Sequence, residues 1–383
     1  MVGERGPTVL VVSGSMGGGH DGVARELVAR LTAAGHDATM LDVLATMRFG
    51  FGRFVRWVYA AQLRWAPWSY SFVFWLWSRF PRSGAAVNAL HTRLARARLL
   101  DEIERRGPDV VVSTYNLASL VLGRLAQQGR VEVPVVTLVT DAAVHPYWLH
   151  PGVSGHLAVL PSAAEALAVA CPGTPVRCCG PLVAARFHTP PAAAAARAAA
   201  GLAPDTAVVL LVAGAWGSGD VAGTARAVQA AAPGVQLVVA CGRNERLRRR
   251  LEAAGVRAVG WVDDMAGLLA AADAVVENAG GLTSLEAFAA RVPVVTFRPL
   301  PGHGRANAET LGNARLTIYA RDDVQLAAAL DRCAHEGAER DAQVERAAAV
   351  FVPDPLAEVL ALCDEVRPCR ARRGGRGRRT GRG

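Results

Sequence analysis

The sequence predicts an α/β protein with two parallel-sheet domains facing a cleft, and three observations carry that prediction. Short β-rich runs alternate with stretches of helical periodicity, the rhythm stops near the middle and restarts, and strands in both halves run directly into glycine-rich loops followed by helices. Strands that alternate with helices need crossover connections, which place parallel strands beneath helices on both faces. At 383 residues and 51% apolar composition the chain is long enough for two cores.

In the first half the β-rich runs are "TVLVVS" (8–13), "DATMLDV" (37–43), "DVVVST" (109–114), "VPVVTLVT" (133–140) and "HLAVL" (156–160). The second half repeats the pattern with "TAVVLLVAG" (206–214), "VQLVVACG" (235–242), "VRAVGWV" (256–262), "DAVVENAGG" (273–281), "VPVVTF" (292–297) and "ARLTIY" (314–319). Between them, "RFHTPPAAAAARAAAGLAPD" (186–205) combines a proline pair with an alanine run and reads as a linker with a short helix. The expected division is a first domain at 1–185, a linker at 186–204, a second domain at 205–355, and a helix end plus tail at 356–383. Ligands of such sheets bind at the carboxyl ends of the strands, here in the cleft between the domains.

The formal charge of +9 is concentrated at the end of the chain, where "RPCRARRGGRGRRTGRG" holds eight Arg and no acid. A tail of this composition cannot bury a core; it suits anionic headgroups, or nucleic acid without sequence specificity. The sequence contains no lysine, which excludes a Walker-type phosphate lysine and Schiff-base chemistry, so arginines, backbone amides and helix ends must handle anions. Seven cysteines without a CxxC pair form neither a disulfide framework nor a recognisable zinc site, and point to a reducing cytoplasm. The N-terminal apolar run is short and ends in a loop, unlike a signal peptide.

Residues 49–80, "FGFGRFVRWVYAAQLRWAPWSYSFVFWLWSRF", contain 13 of the 23 aromatic residues. Arg53, Arg56 and Arg64 forbid a membrane-spanning helix there. Phe54, Trp57, Val58, Ala61 and Trp65 share one helical face, as in a helix lying in a membrane interface with tryptophan anchors, and Trp68 extends the set. An insertion folded over the domain's own core, or a dimer contact, is the other reading of this segment.

The chemistry-bearing stretches are loops. "GSMGGGHDG" (14–22) joins a strand to a helix, so Gly17, Gly18 and Gly19 bring backbone amides and a positive helix end toward a ligand. In "ENAGGLTSLEA" (277–287), Gly280 and Gly281 open a loop before a helix whose free N–H groups can hold a diphosphate, and Glu286, one turn in, can accept hydrogen bonds from a ribose diol. "GAWGSG" (214–219) can grip the same diphosphate from the other side. A metal site from His145, His150 and His156 matches no standard spacing, and no DxD-like pair accompanies a donor loop, so no divalent cation or other cofactor is expected.

Taken in order, "SGSMGGGH", "TDAAVHPYWLHP", "GAWGSG", "CGRNERL", "GWVDDM", "ENAGGLTSLEA" and "PLPGHGRAN" resemble the GT-B glycosyltransferases of the monogalactosyldiacylglycerol synthase and processive diacylglycerol glucosyltransferase group, relatives of the lipid II-forming N-acetylglucosaminyltransferase. The resemblance covers roughly residues 8 to 355. It implies two Rossmann-like domains and inverting transfer of a hexose from a UDP-sugar, held by the second domain, to a lipid acceptor, diacylglycerol-like, held by the first. It assigns the uracil to the backbone around Trp261, Val262 and Met265, the ribose to Glu286, the diphosphate to Gly217, Ser218, Gly281, Leu282 and Thr283, and the donor sugar to His303 and Asn307. Arg243 joins this donor set. Asn278 stands where the family often has Lys or Arg, and His303-Gly304 where it often has Gln-Glu, which leaves the sugar open.

By the same resemblance His20 is the base that deprotonates the acceptor hydroxyl, and a helix N-terminus favours its useful neutral form. Asp141 either orients His20 or is itself the base; His145 and Trp148 line the acceptor region. The expected setting is the cytoplasmic face of the cell membrane, against an anionic surface. A UDP-sugar epimerase of the same fold, a polyprenyl or small-molecule acceptor, and a non-catalytic UDP-sugar sensor remain as alternatives.

Overall fold

A computed structural model describes residues 6–66, 69, 72, 73, 76, 79–334 and 337–367. Trp68 and the arginine-rich tail beyond residue 367 lie outside the described residues. The first sheet comprises β1 (Val9–Ser13), β2 (Ala38–Asp42), β3 (Val110–Ser113), β4 (Val135–Val139), β5 (Gly155–Ala158) and β6 (Val176–Cys178), in the order β2-β1-β3-β4-β5-β6. The second comprises β7 (Val208–Val212), β8 (Gln236–Ala240), β9 (Arg257–Val259), β10 (Ala274–Glu277), β11 (Val294–Phe297) and β12 (Ile318–Ala320), in the order β12-β11-β10-β7-β8-β9. Every pairing is parallel. The central strands β1, β3, β4, β7, β10 and β11 are buried at every residue, which is why they read as unbroken Val/Leu runs rather than as alternation.

The edge strand β6 was not predicted, because three half-buried residues leave no apolar run. Its cover comes from the far end of the chain. The helix Pro355–Val366, capped by Asp354, packs Val359, Leu362 and Cys363 against Val9, Val11, Leu27 and Cys179, while Arg177 of β6 pairs with Glu358 at 3.2 Å and Glu365 at 3.1 Å. β12 also starts later than predicted, since the helix His303–Asn313 ends only at Ala314.

The segment expected to be a linker with a short helix carries that helix at Ala193–Ala199 and is better anchored than its alanines suggest. Phe187, in the short helix Ala185–His188, is buried in one apolar cluster with Val139 and Trp148 of the first domain and Leu285 and Phe288 of the second. Further on, the helix Ala193–Ala199 offers only small side chains to β8 and β9 and leaves a cavity of about 510 Å³ beside Ala195, Ala199, Val238, Val259 and Val262. None of the histidines and glycine loops described below lines it.

In the first sheet His156 of β5 lies opposite Thr137 of β4, and both are buried. Among the described residues neither His156 Nδ1 nor Thr137 Oγ1 has a hydrogen-bond partner. Burial lowers the His156 pKa from 6.5 to about 4. The unfolded chain therefore binds a proton that the folded chain refuses between these values, and stability falls as pH drops through that window. Urea unfolding of the first domain at pH 5 should show a loss of about 2 kcal/mol relative to pH 7 from this residue, and His156→Gln should abolish that portion.

Candidate active site

Loops at the carboxyl ends of both sheets meet across the cleft. After β1 the chain turns through Gly17 (φ 91°) and Gly18 (φ 130°), conformations that disfavour any side chain, into the helix Gly19–Ala33. The two domains meet here: a Cβ on Gly18 would make ordinary contact with Ala215 at 3.5 Å, and one on Gly22 would lie 2.4 Å from Leu282 Cδ2 and push that side-chain end aside. The loop after β7 is held from both sides: Asn244 Nδ2 donates to the Gly217 carbonyl at 3.2 Å, and Asn278 Nδ2 to the Ser218 carbonyl at 2.9 Å.

Behind the loop 278–281 lies a buried carboxylate that sequence reading did not single out. Glu277 accepts the N–H groups of Ala279 and Gly280, each at 2.6 Å, and the hydroxyl of Thr296. Burial pushes its pKa up against those bonds. With the loop so fixed, the helix Leu282–Ala289 begins without a side-chain cap, and nothing lies within 4 Å of where a Gly281 Cβ would be. The open space thus faces the N–H groups of Leu282 and Thr283, which precede the first intrahelical bond, Ser284 N–H to the Gly281 carbonyl at 3.0 Å, an arrangement suited to an anion. Glu286, half-buried on the same helix, has its pKa raised to about 7 by burial, with Arg186 opposing.

On the first-domain side, His20 Nδ1 lies 2.8 Å from Thr140 Oγ1, and its ring packs against Tyr115 (5.0 Å between centroids) and Trp148 (5.9 Å). Burial lowers the His20 pKa below 6.5, while the charges of Asp141 and Asp21 oppose it. The imidazole is therefore neutral at pH 7, and the tautomer that donates Nδ1–H to Thr140 leaves a lone pair on Nε2. Asp141 accepts Trp148 Nε1–H at 2.9 Å and Asn307 Nδ2–H at 3.3 Å, with His145 Nε2 at 3.6 Å. Burial opposes its charge, but the bond to His145 and the imidazoles of His303 and His20 outweigh that and hold it below the usual carboxylate range. His303 is itself lowered by burial, against the pull of Asp141.

Three expectations change. Asp141 has no hydrogen bond to His20; Thr140, overlooked although it adjoins Asp141 in the motif, orients the ring instead. Trp148 is fully buried and offers no surface to an acceptor, so it holds Asp141 from behind. Asn307 is also buried, and its amide is engaged by Asp141, Ala143 N–H (2.9 Å) and the Ala279 carbonyl (3.2 Å) rather than facing open space.

The remaining residues fall around the cleft. Arg243 stacks on Trp261 at 3.8 Å, Trp261 donates to Asp263 at 3.0 Å and is half exposed, and Val262 and Met265 are half-buried beside it. On the helix Phe51–Trp65, Phe54, Trp57 and Trp65 are 53%, 60% and 67% exposed. The other face of that helix carries Tyr59, whose ring meets Trp216 of the second domain at 5.7 Å. Tyr59 and Leu63, four residues apart, are the helical-spacing signal for this inward face. Burial and Asp141 raise the Tyr59 pKa, so the phenol stays neutral.

Residues 20–183 match the family model for monogalactosyldiacylglycerol (MGDG) synthase, and residues 208–336 the model for glycosyl transferases group 1. A processive diacylglycerol beta-glucosyltransferase of Bacillus cereus (strain B4264) is 22% identical over 365 residues, 93% of each chain, and that of Bacillus mycoides (strain KBAB4) is equally similar. Among solved structures, Acinetobacter baumannii MurG superposes with TM-score 0.57 at 16% identity, over 94% of this chain and 100% of that one. The calicheamicin glycosyltransferase CalG4 gives 0.60 at 16% identity, over 95% and 100%. Streptomyces sp. SF2575 SsfS6, complexed with thymidine diphosphate, gives 0.58 at 17%, over 94% and 99%. With its two six-stranded parallel sheets and its glycine loops across one cleft, the chain has the GT-B glycosyltransferase fold, its first domain resembling the monogalactosyldiacylglycerol synthases and its second the group 1 glycosyl transferases.

Proposed function

We propose that the protein transfers a hexose from a UDP-sugar to a diacylglycerol-like membrane lipid with inversion, as a peripheral protein on the cytoplasmic face of the membrane. The observation that carries this reading is the pairing, across one narrow cleft, of a buried neutral histidine with an uncapped helix N-terminus under open space. The diphosphate sits on the amides of Gly281, Leu282 and Thr283 and on the loop at Gly217 and Ser218; Glu286 takes the ribose diol, and the surface at Trp261 and Arg243 the uracil. His20 Nε2 removes the proton of the acceptor hydroxyl as that oxygen bonds to the anomeric carbon, and the bond from that carbon to UDP breaks on the opposite face. The charge that grows on UDP falls at the helix N-terminus, which stabilises it without a divalent cation.

The lipid acceptor is supported by the outward face of Phe54, Trp57 and Trp65 and by a sequence without Asp or Glu from 43 to 100 that includes Arg48, Arg53, Arg56, Arg93 and Arg96. Apolar rings amid unopposed arginines suit an anionic membrane interface. Similarity to chains named for diacylglycerol supports the same acceptor.

Radiolabelled UDP-glucose, UDP-galactose and UDP-N-acetylglucosamine, each incubated with the protein, EDTA and diacylglycerol-containing liposomes, test the reading. Label should enter the lipid from one donor; UDP binding with no label in lipid, or a released 2-epimer, would overturn it. Calorimetric UDP affinity should also rise with pH through about 7, because an ionised Glu286 is the better acceptor for ribose hydroxyls, and Glu286→Gln should flatten that dependence.

A further inference from the structure

We propose that Asn307 is a positioning residue that latches the second domain onto Asp141, so that the site around His20 is complete only when the domains are closed. The inference rests on the reading of His20 as the base. Asn307 lies one turn into the helix His303–Asn313 of the second domain and is 1% exposed. Its Oδ1 accepts Ala143 N–H of the first domain at 2.9 Å, and its Nδ2 donates to Asp141 Oδ1 at 3.3 Å and to the Ala279 carbonyl at 3.2 Å. One side chain therefore joins the loop after β4, which carries Thr140 and Asp141, to the loop that precedes the uncapped helix. The close fit needs Gly280, where a Cβ would come within 2.8 Å of Asn307 Cβ.

The geometry makes the latch conditional on closure. Asp141 is a buried carboxylate whose donors come from both domains: Trp148 and His145 from the first, Asn307 from the second. Opening the cleft removes the Asn307 donor and strips Ala143 N–H of its acceptor, so a half-open state leaves polar groups to be satisfied by water that closure excludes. Asp141 is also the charge that most stabilises protonated His20, the form the base reaches when it has taken the acceptor proton. Positioning this carboxylate by a second-domain side chain ties proton transfer to donor docking without Asn307 touching either substrate.

The test compares wild type, Asn307→Ala and Asn307→Asp, all checked for native melting, with an interdomain spin-label distance measured with and without UDP. Asn307→Ala should lengthen or broaden the distance and lower kcat about 10–100-fold, with UDP affinity nearly unchanged. In Asn307→Asp two carboxylates meet and can close only by sharing a proton, so the distance should shorten as pH falls from about 8 to about 5. The charged or titratable groups around that pair are His20, Asp21, His145, His303 and Tyr59. Wild type, which has them all, should show no such trend. An Asn307→Ala variant with unchanged distance and kcat but a raised donor KM would overturn the latch and make Asn307 a donor contact. A wild type that transfers no sugar would overturn the base reading, and the distance measurement would still decide the latch.

Discussion

Replacement of His20 by alanine is expected to lower kcat by about 10²–10⁴-fold, the usual worth of a positioned general base, while UDP binding is retained. The two effects separate because His20 stands on the first domain, whereas the uncapped helix and Glu286 stand on the second. Single-turnover transfer of labelled sugar, with UDP titrated calorimetrically on the same preparations, measures both. The pH profile adds a sign: burial holds the His20 pKa below 6.5, so the base is neutral at pH 7 and the rate should fall only on further acidification. Thr140→Val should give a smaller loss in kcat, because the ring remains but loses the bond that sets its tautomer and orientation. Retention of more than about a tenth of the rate in His20→Ala would remove the residue from the chemistry.

The second large effect is expected at the membrane. Changing Phe54, Trp57 and Trp65 together to serine should weaken association with anionic vesicles about 100-fold or more, at roughly 25 cal/mol per Å² of apolar surface withdrawn from the interface. Because these rings are more than half exposed, the change should leave the melting temperature nearly unaltered. Vesicle sedimentation should report the loss, and transfer to lipid in vesicles should fall in parallel while UDP affinity stays constant. Residual binding should weaken with salt, since the arginines of the acid-free segment remain. Unchanged vesicle affinity would mean that this face meets something other than a bilayer.

Much of the architecture was legible in local pattern. Buried parallel strands announce themselves as Val/Leu runs, and the glycine loops as strand ends that need positive φ, which is how "TVLVVS" and "GSMGGGH" already placed His20 at a strand-to-helix turn. That Phe54, Trp57 and Trp65 share one face followed from helical spacing; that the face is exposed rather than folded over the core came from the packing. β6 escaped because an edge strand of this length carries no periodic signal, and its cover is a helix nearly 180 residues further on.

By itself, then, the sequence determined the two α/β halves, the loops that face the cleft, the shared aromatic face of one helix and the residue types available for proton transfer and anion binding, since each depends on neighbours within a few turns. Only the tertiary structure decided who partners whom. Thr140, 120 positions from His20, takes its Nδ1; Asn307, 166 positions from Asp141, takes its carboxylate; and Tyr59 reaches Trp216 across the cleft. Hydrogen-bond reach is about 3 Å, and which groups come within it is set by how two domains dock, a relation that no period along the chain encodes.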